Sequence, residues 1–116
     1  MVLLIACLGY EKGTIAHVSE IIKQEQWDKI FIITDKKTDE LKNNNIELII
    51  INPNQYLQEM AEEIKNKLRG KIGDMEIALN VISGSGKMHM AILSALLKLG
   101  LGIRLVALTK QGVKEI

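Results

Sequence analysis

Five stretches of strand length are apolar on nearly every residue: 2–8, 29–34, 46–52, 75–82 and 102–109. A strand with one face in water alternates apolar and polar side chains, whereas one covered on both faces reads as a near-continuous aliphatic run. Between the runs the apolar spacing switches to three and four. Residues 14–26 carry Ile15, Val18 and Ile22 on one stripe, and a second stripe holds Leu57, Ala61, Ile64 and Leu68. Asn52 is placed to cap that second helix with Pro53 at its first position, and Gly70 to end it. The polar segment "DKKTDELKNNN", residues 35–45, has room for two helical turns. A third helix fits residues 86–99 and stops at Gly100. "KQG" then reads as a tight turn into a short last strand, "VKEI".

Strands covered on both faces and separated by helices predict a parallel sheet between helical layers. The expected architecture is an α/β Rossmann-like three-layer sandwich. Its sheet has about six strands, mainly parallel, with a short antiparallel C-terminal strand. Residues 1–116 suffice for one such domain. The run 2–8 is too short to span a bilayer and lacks the flanks of a signal peptide, so a cytoplasmic protein without membrane contact is expected. Cys7 is the sole cysteine and cannot close an internal disulfide; an inert buried thiol fits its apolar setting.

The net charge of +1 carries no signature of duplex DNA binding. The charge is uneven, however. Residues 84–116 hold Lys87, Lys98, Arg104, Lys110 and Lys114 against Glu115 alone, about +4, and the first 83 residues hold about −3. A basic final third suits a local anionic ligand, or simply solvated helix ends.

Ligands of open parallel sheets sit beyond the carboxyl ends of the strands. That edge gathers two loops, residues 9–14 and 83–87. The second is Ser83-Gly84-Ser85-Gly86-Lys87, between a strand and an apolar helix. It is not a P-loop, because position 81 is Val81 and Met88 follows the lysine. It is not a dinucleotide fingerprint either, because the third glycine position holds His89. The underlying physics still applies: glycines admit a close anion, a helix N-terminus offers N–H groups, and Lys87 adds a full charge. The competing interpretation is a plain turn with Ser83 or Ser85 as a cap. In the first loop Tyr10 could stack on a base and Lys12 could reach a phosphate, or Tyr10, Glu11 and Lys12 could be solvated and Thr14 could cap the first helix. His89 could serve as an acid or base, but helical geometry turns it away from Lys87, which favours a structural histidine. His17 is expected at the surface, Trp27 in packing, and Arg104 at the wrong end of its strand for the ligand. The third helix is apolar around most of its circumference, which suggests a subunit interface, the alternative being a helix tucked deep between the sheet and neighbouring helices.

Taken in order, "CLGYEKGT", "WDKIFIITD" and "LNVISGSGKMHMAILSALLKLGLGIRLVAL" resemble the CARF domain, the CRISPR-associated Rossmann fold. Members of that family often carry a Thr-Gly-Gly-Thr-Lys type turn where this chain has residues 83–87. The resemblance implies a homodimer that binds cyclic oligoadenylate, most often the tetra-adenylate, across its two-fold axis. It implies ligand contacts from Gly9, Tyr10, Lys12, Thr14, Ser83, Gly84, Ser85, Gly86 and Lys87. No effector domain follows within the 116 residues. The resemblance then implies a ring nuclease that cuts the messenger, with a non-catalytic sensor or regulator of a partner as the alternative. Such cleavage proceeds by attack of a ribose 2′-OH and needs neither metal nor cofactor; Lys87 is the catalytic candidate. An unrelated Rossmann-like nucleotide binder or structural subunit is the third class.

Overall fold

The computed structural model describes residues 2–36, 45–73 and 76–116. The apolar runs become β1 (Leu3–Leu8), β2 (Lys29–Thr34), β3 (Ile46–Ile50), β4 (Glu76–Asn80) and β5 (Gly102–Thr109), with a short β6 (Gly112–Glu115). The helices are α1 (Lys12–Gln24), α2 (Leu57–Leu68) and α3 (Gly86–Lys98). The six strands form one sheet in the order β3-β2-β1-β4-β5-β6. All neighbours are parallel except β5 and β6, whose antiparallel register runs from Val106↔Glu115 to Thr109↔Gly112. The expected sandwich is therefore present, α1 on one face of the sheet and α2 and α3 packed together on the other.

Alternation along each strand divides the interior in two. Leu3, Ile5 and Cys7 of β1, with Phe31 and Ile33 of β2, face Met60, Ile64 and Leu68 of α2 and Met88, Ile92 and Leu96 of α3. Leu4, Ala6 and Leu8, with Ile30 and Ile32, face Val18 and Ile21 of α1 and Trp27. Every β1 residue is buried, which is why that strand shows no polar alternation in sequence. Each buried leucine or isoleucine contributes about 1.5–3 kcal/mol relative to exposure.

Several local expectations need correction. α2 begins at Leu57 after Tyr56, four residues later than the Asn-Pro pair suggested. The Asn52 side chain instead accepts the N–H of Asn54 at 2.9 Å, closing an Asx turn around Pro53 rather than capping a helix. α1 starts at Lys12 with Glu11 at the N-cap position and no side-chain cap bond, so Thr14 lies inside its first turn. His17 is half-buried rather than superficial, and its Nε2 accepts the N–H of Leu108 at 3.2 Å. That ring serves β5 where its ladder to β4 has ended. Most of the segment 35–45, with its suggested helical turns, lies outside the described residues. Other assignments match: β5 spans 102–109, Trp27 is buried with its indole N–H on the Ile21 carbonyl, and Arg104 pairs with Glu76 at 3.1 Å.

The strand order places the site. The chain leaves β1 for β2 and β3 on one side, then returns to build β4 on β1's other side. The loops after β1 and β4 therefore diverge at a topological switch point, where an open sheet leaves a crevice beyond its carboxyl ends.

Candidate functional site

At this switch point lies a cleft of about 320 Å³. Gly9, Tyr10, Glu11 and Thr14 line it from the β1 loop and the start of α1. Gly84, Ser85 and Lys87 line it from the β4 loop and the start of α3, Asp35 from the end of β2, and Pro53 from the β3–α2 loop. Met60, Ile82 and Met88 supply apolar wall.

Glycine is required where the two loops touch. A Cβ on Gly9 would lie 2.7 Å from both the Cα and the N of Gly84. A Cβ on Gly84 would lie 2.5 Å from Cys7 Sγ, and Gly84 also holds φ +98°, which L side chains resist. The loops thus meet backbone to backbone, with Cys7 behind them. Ser83, fully buried beneath, locks the contact: its Oγ accepts the N–H of Gly9 at 2.8 Å and pairs with the Thr14 hydroxyl at 3.0 Å. Its carbonyl is 2.7 Å from His89 Nε2. A carbonyl only accepts, so Nε2 carries the proton there. His89 occupies the position where a dinucleotide fold has its third glycine, and it fastens the turn from α3. Burial, then the nearby Asp35 charge, pushes the Cys7 thiol up to about 12, far from nucleophilic use.

α3 begins on Ser85, whose Oγ accepts the N–H of Met88 at 3.1 Å. Of the two serines offered as caps, Ser85 has the role. The first-turn N–H groups of Gly86 and Lys87 have no acceptor within the helix, which leaves partial positive charge at the cleft. Lys87 is exposed, with Nζ 3.4 Å from the Pro53 carbonyl. It stands between the cleft and a second, more polar hollow lined by residues 52–56 and Glu59.

Six of the nine residues expected at the site therefore line one cleft: Gly9, Tyr10, Thr14, Gly84, Ser85 and Lys87. Ser83 lies under it as a clamp. Gly86 and Lys12, the first residues of α3 and α1, are exposed and are not among its lining. Two carboxylates join the wall. Glu11 was visible in the loop. Asp35 was not singled out, although an acidic residue directly after the second strand of such a sheet is a recognisable signal. Asp35 Oδ1 accepts the Tyr10 hydroxyl at 2.7 Å, and that hydrogen bond, with burial and the Asp35 charge behind it, raises the phenol above its ordinary 10.0. Lys36 Nζ sits 4.4 Å from the centre of the Tyr10 ring, an exposed cation–π contact. The cleft is thus bipolar, with Lys87 and the α3 N-terminus against Asp35 and Glu11.

Among the described residues, no group of three or more His, Cys, Asp or Glu side chains could hold a metal ion, and no helix is long and apolar enough to cross a membrane. No protein-family model and no curated protein matches the sequence.

Proposed function

We propose that the chain is a CARF-like cytoplasmic domain that binds cyclic oligoadenylate, most simply cyclic tetra-adenylate, between two copies of itself and cleaves it without a metal. The observation that carries this is the cleft at the β1/β4 switch point, where the Ser85-capped start of α3 and Lys87 meet two loops in backbone contact. A helix N-terminus beside a lysine suits a phosphate. The volume of about 320 Å³ is at the lower end of the roughly 300–1,000 Å³ usual for ligand clefts, so one chain offers room for one nucleotide unit. A four-nucleotide ring needs at least two clefts, hence two chains. α3 leaves Met90, Leu93 and Leu97 exposed in one stripe, with Ile82 and Leu105 also exposed. That stripe is suited to the second copy.

In the cleavage the ribose 2′-oxygen attacks the neighbouring phosphorus and the bond from phosphorus to the 5′-oxygen breaks. The products are a 2′,3′-cyclic phosphate and a free 5′-hydroxyl, so the proton lost by the 2′-OH is balanced by one gained at the 5′-oxygen. Lys87 and the N–H groups of the first α3 turn stabilise the charge on the pentacoordinate phosphorus.

A second reading, a non-catalytic sensor that passes ligand binding to a partner, is favoured by one feature: among the described residues that line the cleft, Lys87 is the only cationic side chain. Labelled cyclic tetra-adenylate incubated with the protein in EDTA separates the readings. Linear product supports the nuclease, tight binding of an intact ring supports the sensor, and absence of binding at micromolar concentration overturns both. Lys87→Ala should abolish cleavage or weaken binding at least tenfold, as a calorimetric titration would report. An unaffected variant removes Lys87 from the site.

A further inference from the structure

The two carboxylates are out of place in a cleft that serves only phosphate, because like charge repels the ligand. Their positions are informative. Asp35 directly follows β2 and Lys87 lies in the first turn of α3 after β4, and β1 separates the two strands. Neighbouring strands lie roughly 4.8 Å apart, so the carboxylate and the cationic turn are on the order of 10 Å from each other across the sheet edge. One nucleotide covers that span when hydrogen-bond lengths are added at each end, with phosphate at the turn and sugar at the carboxylate. Among the described residues Tyr10 is the one side chain bonded to Asp35, through Oδ1 alone. An ionised carboxylate accepts about four hydrogen bonds, so capacity remains for a hydroxylated ligand. Tyr10 is 66% exposed, so a swing from the carboxylate gives up little beyond that hydrogen bond and the ring's contact with Lys36.

We propose that Asp35 is a specificity residue: it accepts hydrogen bonds from ribose hydroxyls in the cleft and so selects ribonucleotides over their deoxy analogues. Tyr10 holds the carboxylate in place in the free protein and yields it to the sugar. The inference deepens the nucleotide reading above and rests on it. It does not require a ring, a dimer or cleavage.

The test uses the whole protein and two mononucleotides, adenosine 5′-monophosphate and its 2′,3′-dideoxy analogue, titrated by calorimetry or ligand-observed NMR. The wild type should bind the ribonucleotide at least tenfold more tightly. Asp35→Ala should lower that ratio to near one by weakening the ribonucleotide alone, and Asp35→Glu, which keeps the carboxylate, should restore part of the preference. Circular dichroism checks that both variants fold. Equal binding of the two ligands by the wild type overturns the inference and leaves the nucleotide reading standing. So does a preference that survives Asp35→Ala. Binding of neither mononucleotide at millimolar concentration overturns the inference. If the cyclic ring then binds, the ring reading stands; if it does not, both fall.

Discussion

Cys7 shows how far a single atom's surroundings set its behaviour. Its sulfur faces Gly84 across the β1/β4 contact and is fully buried. Burial, with a smaller effect from Asp35, raises the thiol from its ordinary 9.0 to about 12. In the unfolded chain the thiol ionises near 9; in the folded chain it stays protonated. Its contribution to stability is therefore complete below about pH 9 and is lost as the pH climbs toward 12. By pH 11 the loss should be about 3 kcal/mol larger in the wild type than in Cys7→Ala, on the scale of about 1.4 kcal/mol per pH unit. Urea unfolding of both proteins between pH 8 and 11 measures it. Parallel stability profiles would mean that the sulfur is not desolvated as the structure has it.

At the scale of elements, α3 is the helix on which the site depends, and its start rests on one side chain. Ser85 Oγ holds the Met88 N–H, so Ser85→Ala should cost about 0.5–2 kcal/mol in urea unfolding and fray the turn that carries Lys87. A variant as stable as the wild type would show that the first turn is held by other means. α3 was also among the most legible parts of the sequence, along with β5, because a long apolar helix bounded by Gly86 and Gly100 and a β-branched run leave few alternatives. The start of α2 was not legible. Asn followed by Pro is as good a signal for an Asx turn as for a helix cap, and the choice between them is made by local hydrogen bonds such as Asn54 N–H to Asn52 Oδ1. The roles of Asp35 and Ser83 were hidden for a different reason. Asp35 reaches the cleft only because β2 and β4 flank β1, and Ser83 becomes a clamp only because Gly9, 74 residues earlier, comes to lie on Gly84. Strand order creates both relations, and no local pattern records it. His17 is similar, since the backbone N–H that it serves lies 91 residues later in the chain.

For the whole molecule, the unresolved asymmetry is the outer face of α3. Met90 and Leu97 are 62% and 66% exposed, while the opposite side of the same helix is sealed against the sheet. On the helical wheel Lys87 and Lys98 border this stripe, so a partner seated on it brings cationic side chains toward their counterparts. In water alone that repulsion works against association; a polyanionic ring between the two clefts would relieve it. If the chain binds the ring as proposed, dimerisation and ring binding would be coupled, and the coupling would be reciprocal: a ligand that favours the dimer must bind the dimer better. Leu97→Lys tests this without touching the core, because a substitution at so exposed a position should change monomer stability by no more than about 0.5 kcal/mol. The expected result by light scattering is a wild type whose mass doubles when cyclic tetra-adenylate is added, and a variant that stays monomeric and binds the ring at least tenfold more weakly. A wild type that binds the ring as a monomer would break the coupling, and would restrict the site to the single cleft of one chain.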